Sequence, residues 1–270
     1  MKLSSTKTAQ LLLPAAILLA WIAPATAQEA AASAASPDNT AISTQVVSPE
    51  AQAVLDRMTR YLRGLQTFSI ETHASRDEVV ALGYKLQNNE RSVIVVQRPN
   101  KLRADISGDI RNRTIVYDGT QLTMYSPDDA VFARTDAPDT LADLIGILLD
   151  IGVEMPLIDV LYQATAGTLT SDVRGGILVG TSMIDGVATD HLAFRQANVD
   201  WQLWVEQGAR PLPRKILVTT RYEVGDPQYQ AVLHWNLKPR IHSSTFEFAP
   251  PKGVTEIPLD TPASTASGAP

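Results

Sequence analysis

Apolar residues along this chain change their spacing several times, and each change marks an element. From Ser48 the spacing is helical: Val54, Leu55, Met58, Tyr61, Leu62 and Leu65 fall on one face. Ser48-Pro49-Glu50 predicts the start, with Ser48 as N-cap and Pro49 at the first helical position, and Gly64 weakens the far end. From Thr67 the period becomes two. Phe68 and Ile70 alternate with Ser69 and Glu71, and residues 84–97 make a long second strand around Val93-Ile94-Val95-Val96. Pro99-Asn100 breaks that strand, after which Leu102, Ala104 and Ile106 alternate with Arg103 and Asp105. Residues 114–117 and 121–125 flank Asp118-Gly119 as a hairpin, and Ser126-Pro127-Asp128-Asp129 turns the chain into a strand at 130–134. The pattern is an antiparallel meander.

Helical spacing returns in the middle. Leu141, Leu144, Ile145 and Leu148 share a face that Ile147 and Leu149 widen, and Asp139 or Thr140 can cap its start. Gly152 and Pro156 punctuate, and residues 156–163 predict a second short helix. The segment is very apolar for its length. It reads first as a core helix packed on a sheet and second as a lid over a cavity. Strands follow at 177–184 and 188–195 around the Asp185-Gly186 turn, then at 201–205, 215–222 and 229–237. Trp201, Leu203 and Val205 share one face of their strand and Trp204 takes the other; Tyr229, Ala231, Leu233, Trp235 and Leu237 alternate with polar residues. Phe246 and Phe248 end the folded part. The fold class expected is α+β, a single strongly curved antiparallel sheet with helices covering the concave face.

The ends of the chain read differently. Lys2 and Lys7, an apolar run over residues 11–23 and the small-x-small Ala25-Thr26-Ala27 predict a signal peptide at 1–27, cleaved before Gln28. Pro14 and Pro24 interrupt the run, which is short for a bilayer span, so no transmembrane segment is expected in the mature form. Residues 28–47 are Ala/Ser/Thr/Pro-rich without an apolar period and predict a flexible tether; 48–258 is the folded domain and 259–270 a disordered tail. The chain has no cysteine, which excludes a disulfide and a lipid on the new N-terminus. An exported chain of this kind has to hold together through its hydrophobic core. The formal charge of −6 becomes about −8 once Lys2 and Lys7 leave, which argues against nucleic acid and against adhesion to an anionic membrane surface.

Catalytic signals are poor. His73, His191, His234 and His242 are the only histidines, no two stand at ligand spacing, and the nucleophile-elbow and phosphate-loop patterns are missing. Asp128-Asp129 beside Pro127 reads as a solvated turn rather than an acid–base pair. Glu71 and His73 share a strand face and read as a polar stripe before an acid–base pair. No catalytic residue, metal or cofactor is expected, and the protein is expected not to be an enzyme.

Three stretches resemble the LolA/LolB-like superfamily of periplasmic lipoprotein carriers. They are Arg98-Pro99-Asn100 closing a long strand, Asp118-Gly119-Thr120-Gln121-Leu122 with Tyr125-Ser126-Pro127 after it, and Phe246-Glu247-Phe248-Ala249-Pro250-Pro251-Lys252-Gly253-Val254 near the end. The second half, with Trp201-Gln202-Leu203-Trp204-Val205 and Pro211-Leu212-Pro213-Arg214-Lys215, resembles the predicted periplasmic protein family, domain of unknown function 2092, more closely. The resemblance implies a half-open β-barrel with an apolar hollow for acyl chains, and a periplasmic location. It also implies that Arg98 latches lid helices: a guanidinium at a strand end can donate to the free carbonyls of a helix C-terminus. The sequence departs from the carriers after the Arg-Pro-Asn, where Lys101-Leu102-Arg103-Ala104 stands in place of aromatics.

These readings converge on a monomeric periplasmic carrier or binding protein for a hydrophobic ligand, a lipid or an acylated protein. The ligand would lie against Leu141, Leu144, Ile145 and Leu148 and against Trp201, Leu203, Leu233 and Trp235, with the inward face of the sheet left open. The alternative is an envelope sensor or regulatory protein that binds a protein partner through the same groove.

Overall fold

The computed structural model describes residues 46–150 and 156–258; the expected leader, the tether up to residue 45 and the tail from residue 259 lie outside the described residues. Helix α1 (Pro49–Gly64) begins as the sequence predicts. Ser48 Oγ accepts the Ala51 N–H at 3.2 Å, and Ala51, Val54, Leu55, Met58 and Leu62 are buried. The strand before the helix is not free, because the Gly176 N–H donates to the Val46 carbonyl and the Ser48 N–H to the Gly176 carbonyl.

Strands β1 (Thr67–Val79), β2 (Lys85–Gln97), β3 (Lys101–Gly108), β4 (Arg113–Tyr117), β5 (Gln121–Ser126) and β6 (Val131–Asp136) form the predicted meander. Helices α2 (Leu141–Asp150) and α3 (Pro156–Ala166) follow. A second meander comprises β7 (Gly175–Ile184), β8 (Val187–Arg195), β9 (Val199–Glu206), β10 (Pro213–Thr220) and β11 (Gln228–Asn236). Together with β12 (Thr255–Glu256) they make one sheet in the order β12-β6-β5-β4-β3-β2-β1-β11-β10-β9-β8-β7. The sheet is open, because its two end strands do not pair with each other.

β1 sits in the middle, bonded to β2 on one side and to β11 on the other, with Ile70 opposite both Ile94 and Trp235. The pairings between these strands are antiparallel except β12 with β6, which is parallel, as is the single Val47–Gly176 bridge at the β7 edge. The folded part therefore runs past Phe248: Thr255 N–H donates to Ala130 O and Ile257 N–H to Phe132 O, satisfying backbone groups that an edge strand would otherwise leave open.

Register sorts the side chains into two faces. Phe68 and Ile70 of β1, Ile94 and Val96 of β2, Leu102 and Ala104 of β3, Leu203 of β9 and Leu233 of β11 belong to one apolar cluster with α1 and α2. That is the helix-covered, concave face. The opposite face carries Trp204, stacked on His191 at 4.2 Å between ring centres and with the Lys215 ammonium 5.0 Å from its own. It also carries the closing Phe-x-Phe. Phe248 packs between Tyr125 and Phe132, 5.3 Å from each, and Phe246 is buried with Lys101 over its ring.

Two of the motifs meet at one corner. Gly119 has φ +102°, and a Cβ built there would lie 2.7 Å from Asn100 Nδ2. Gly119→Ala therefore combines a strained backbone with a clash, and should lower stability by about 1–3 kcal/mol in urea unfolding. Ser48→Ala removes the α1 cap and should cost about 1 kcal/mol in the same measurement.

Candidate functional site

The helical cover is built by local rules and hung on the sheet by polar contacts. Thr140 caps α2: its Oγ1 accepts the Asp143 N–H at 3.1 Å and donates to Asp143 Oδ2. The next N–H, from Leu141, donates to the Pro99 carbonyl at 2.8 Å, so α2 starts from the corner between β2 and β3. Below it, the Tyr117 hydroxyl donates to the Pro138 carbonyl. Burial, followed by the nearby carboxylates Asp139, Asp118 and Asp143, raises the Tyr117 pKa, so this donor stays protonated.

Leu141, Leu144 and Ile145 are buried and Leu148 is half-buried, as helical spacing requires. Ile147 points the other way and is exposed. On the sheet, Trp201 stacks on Phe194 at 4.0 Å between ring centres, and Trp235 tilts against Phe68 at 5.4 Å while its indole N–H donates to the Pro213 carbonyl at 2.7 Å. Leu203 and Leu233 are fully buried. All eight residues lie in one apolar cluster on the concave side. The register settles the face that sequence left open: Trp201, Leu203, Leu233 and Trp235 look toward the helices and Trp204 does not. The same face also carries a buried polar pair, where Thr72 and Ser92 share a hydrogen bond of 2.6 Å across β1 and β2. A separate surface hollow of about 590 Å³ lies at the β8–β9 turn, lined by Ser171, Asp172, Arg174, Gln196 and Asn198 among others, and includes none of the eight.

Arg98 sits at the corner from which α2 starts. Its guanidinium donates to the Arg63 carbonyl at 3.3 Å, in the last turn of α1, and burial pushes its pKa down. The helix it reaches is α1, not α2 or α3. The link to α3 comes from Arg63, whose Nε donates to the Thr165 carbonyl at 2.7 Å. Sequence reading passed over Arg63. Its signal was a basic residue in the last turn of a helix, where the carbonyls are unpaired, but the α3 partner more than a hundred positions away has no sequence trace.

Elsewhere the chemistry is structural. Glu71 accepts from Arg91 at 2.9 Å and lies 3.1 Å from His73 on the open outer face; Arg91, then His73, lower its pKa. Asp128 accepts from Asn112 N–H and Nδ2 and Asp129 from Ser126, so this pair closes a turn. Among the described residues no group of three or more His, Asp or Glu is arranged to hold a metal.

No curated protein matches the chain in sequence. The lipoprotein LppX of Mycobacterium tuberculosis is similar in structure, with a TM-score of 0.46 at 15% identity, covering 72% of this chain and 99% of that one. An uncharacterized conserved protein from Thermus thermophilus gives 0.45 at 12% identity, covering 78% and 99%. A LolA superfamily protein from Nitrosomonas europaea gives 0.31 at 13% identity, covering 73% and 96%. Residues 51–260 match the family described as predicted periplasmic protein DUF2092, which spans both meanders and the helices between them, and the chain belongs to this periplasmic family.

Proposed function

We propose that the protein is a periplasmic carrier or binding protein for a hydrophobic ligand, a lipid or an acylated protein, held between the concave face of the sheet and α2. One observation carries this reading: the apolar residues of α2 and of both meanders form a single cluster on one face of an open sheet. Among the described residues, polar attachments of the cover include one at each end, Leu141 to Pro99 and Thr165 to Arg63. Contacts between α2 and the strands are apolar and non-directional, so acyl methylenes can replace them at little cost, at roughly 0.8 kcal/mol gained per methylene buried. The end attachments can hold while the middle of the cover moves. No catalytic function is assigned to it.

A second reading has a specific observation behind it. β7 is an end strand of the sheet, and beyond Gly176, whose backbone pairs with Val46 and Ser48, it is uncharged to Ile184 with Ile177, Val179 and Met183 exposed. A strand from an envelope protein partner can add to such an edge.

Native mass spectrometry of protein purified from the periplasm separates the two: a co-purifying lipid supports the carrier and a stoichiometric protein the partner reading. An environment-sensitive fatty-acid probe tests the site itself. Leu144→Asp places a carboxylate in the cluster and should abolish probe binding, and retained binding with unchanged circular dichroism would remove the site from this face. Arg98→Leu deletes the bond to Arg63 and should cost only about 1–2 kcal/mol of stability while changing the probe's exchange rate several-fold. Arg98→Lys keeps the charge without the planar fork and should restore exchange only in part.

A further inference from the structure

The end of the sheet away from the Arg98 corner carries an apolar projection that neither the core nor the ligand face uses. β2 runs five residues beyond Glu90, its last residue paired with β3 (opposite Gly108), to reach Lys85, about 16 Å at 3.3 Å per residue. The β1–β2 hairpin therefore stands clear of the sheet on that side. Its tip, Val79-Val80-Ala81-Leu82-Gly83-Tyr84, has no charged residue, and Leu82 is 94% and Tyr84 66% exposed. The β10–β11 loop leans on the flank of this hairpin. Lys85 Nζ donates to the Gly225 carbonyl at 3.3 Å, and Asp77 Oδ2 accepts the Gln228 N–H at 3.1 Å. That loop presents Tyr222 and Val224, 78% and 77% exposed.

The backbone adds a second observation. Leu82 has φ +67° and Tyr222 φ +69°. In a solvated turn such positions favour glycine, asparagine or aspartate, because a larger side chain is strained there. Leu82 is almost wholly exposed, and the Tyr222 ring meets only the guanidinium of its neighbour Arg221, 5.0 Å from its centre. Two separate loops thus hold a large apolar side chain in the left-handed region at the same rim.

We propose that this rim docks the protein on a phospholipid bilayer, with Leu82, Tyr84, Tyr222 and Val224 entering the interfacial layer. The surface is a convex projection, which fits a deformable bilayer rather than a preformed protein pocket. The tyrosines suit an interface, with an apolar ring and a polar tip, and the Tyr222 hydroxyl already takes a bond from Arg221 at 3.1 Å. Charge decides the kind of lipid. Arg76, Lys85 and Arg221 are balanced by Asp77, Glu78, Glu223 and Asp226, so the rim has no excess of positive charge to draw anionic headgroups. Docking is apolar, to zwitterionic lipid, and insensitive to salt. It holds whatever the concave face binds.

The cysteine-free chain gives a clean test. Protein purified from the periplasm, carrying Leu82→Cys labelled with an environment-sensitive fluorophore, is mixed with phosphatidylethanolamine/phosphatidylcholine vesicles. The emission should shift to the blue at low and high salt alike, while the same label at Val93→Cys, exposed mid-strand on β2, should not move. Asparagine accepts left-handed backbone, so Leu82→Asn with Tyr222→Asn should keep or raise the unfolding temperature. The same pair should weaken vesicle partitioning by roughly tenfold per side chain. A Leu82 label unmoved by vesicles, or a double variant that partitions like the parent, would overturn the proposal, as would a label shielded only by a periplasmic protein.

Discussion

The pairing of β1 with β11 is the contact on which the rest of the molecule depends. Each meander is held by turns between neighbours, but β1 and β11 lie more than a hundred and fifty positions apart, and only their eight-residue ladder joins the two halves into one sheet. That ladder aligns Ile70 with Trp235 and Thr72 with Leu233, which continues the apolar rows of the first meander into the second. Because side chains alternate with period two, a slip of one residue here would turn Leu233 and Trp235 to solvent. The continuous concave face, and any ligand held on it, exist only in this register.

A second consequence of that sheet is the division of labour between its faces and ends. The concave face is given to apolar contacts with α1 and α2. The outer face is covered by Phe246 beside Lys101 of β3 and by Phe248 on Tyr125 of β5 and Phe132 of β6, and left polar near Glu71 and Arg91. One end, around Arg98, Asn100 and Gly119, is a dense corner where α1 finishes and α2 begins. The other end projects the hairpin tip. That corner ties the last turn of α1 and the first N–H of α2 to the same junction between β2 and β3.

Much of the fold was legible because it rests on local chemistry. Ser48-Pro49 set the start of α1, Asp118-Gly119 the β4–β5 hairpin and Asp185-Gly186 the β7–β8 hairpin, and each holds in the structure. Alternation fixed which residues share a face, including the separation of Trp204 from Trp201 and Leu203. The same alternation put Trp201 with Leu203 and Leu233 with Trp235 on shared strand faces, without saying which of those faces meets α2. Motifs shared with a known family added the expectation that the strands make one sheet.

What periodicity does not carry is the identity of a distant partner. It could not say which sheet face looks inward, since that is set by the helices packed on it. It could not place the Arg98 guanidinium on the α1 carbonyl rather than on α2 or α3, or give Arg63 its bond to Thr165. Nor did it foresee β12, whose two residues pair only because the β6 edge needs partners. The sequence by itself determined the elements, their turns and their faces, because these depend on neighbours within a few positions. The tertiary structure decided register between β1 and β11, the attachment of the helical cover and the exposure of the hairpin tip, because each depends on groups brought together only when the whole sheet forms.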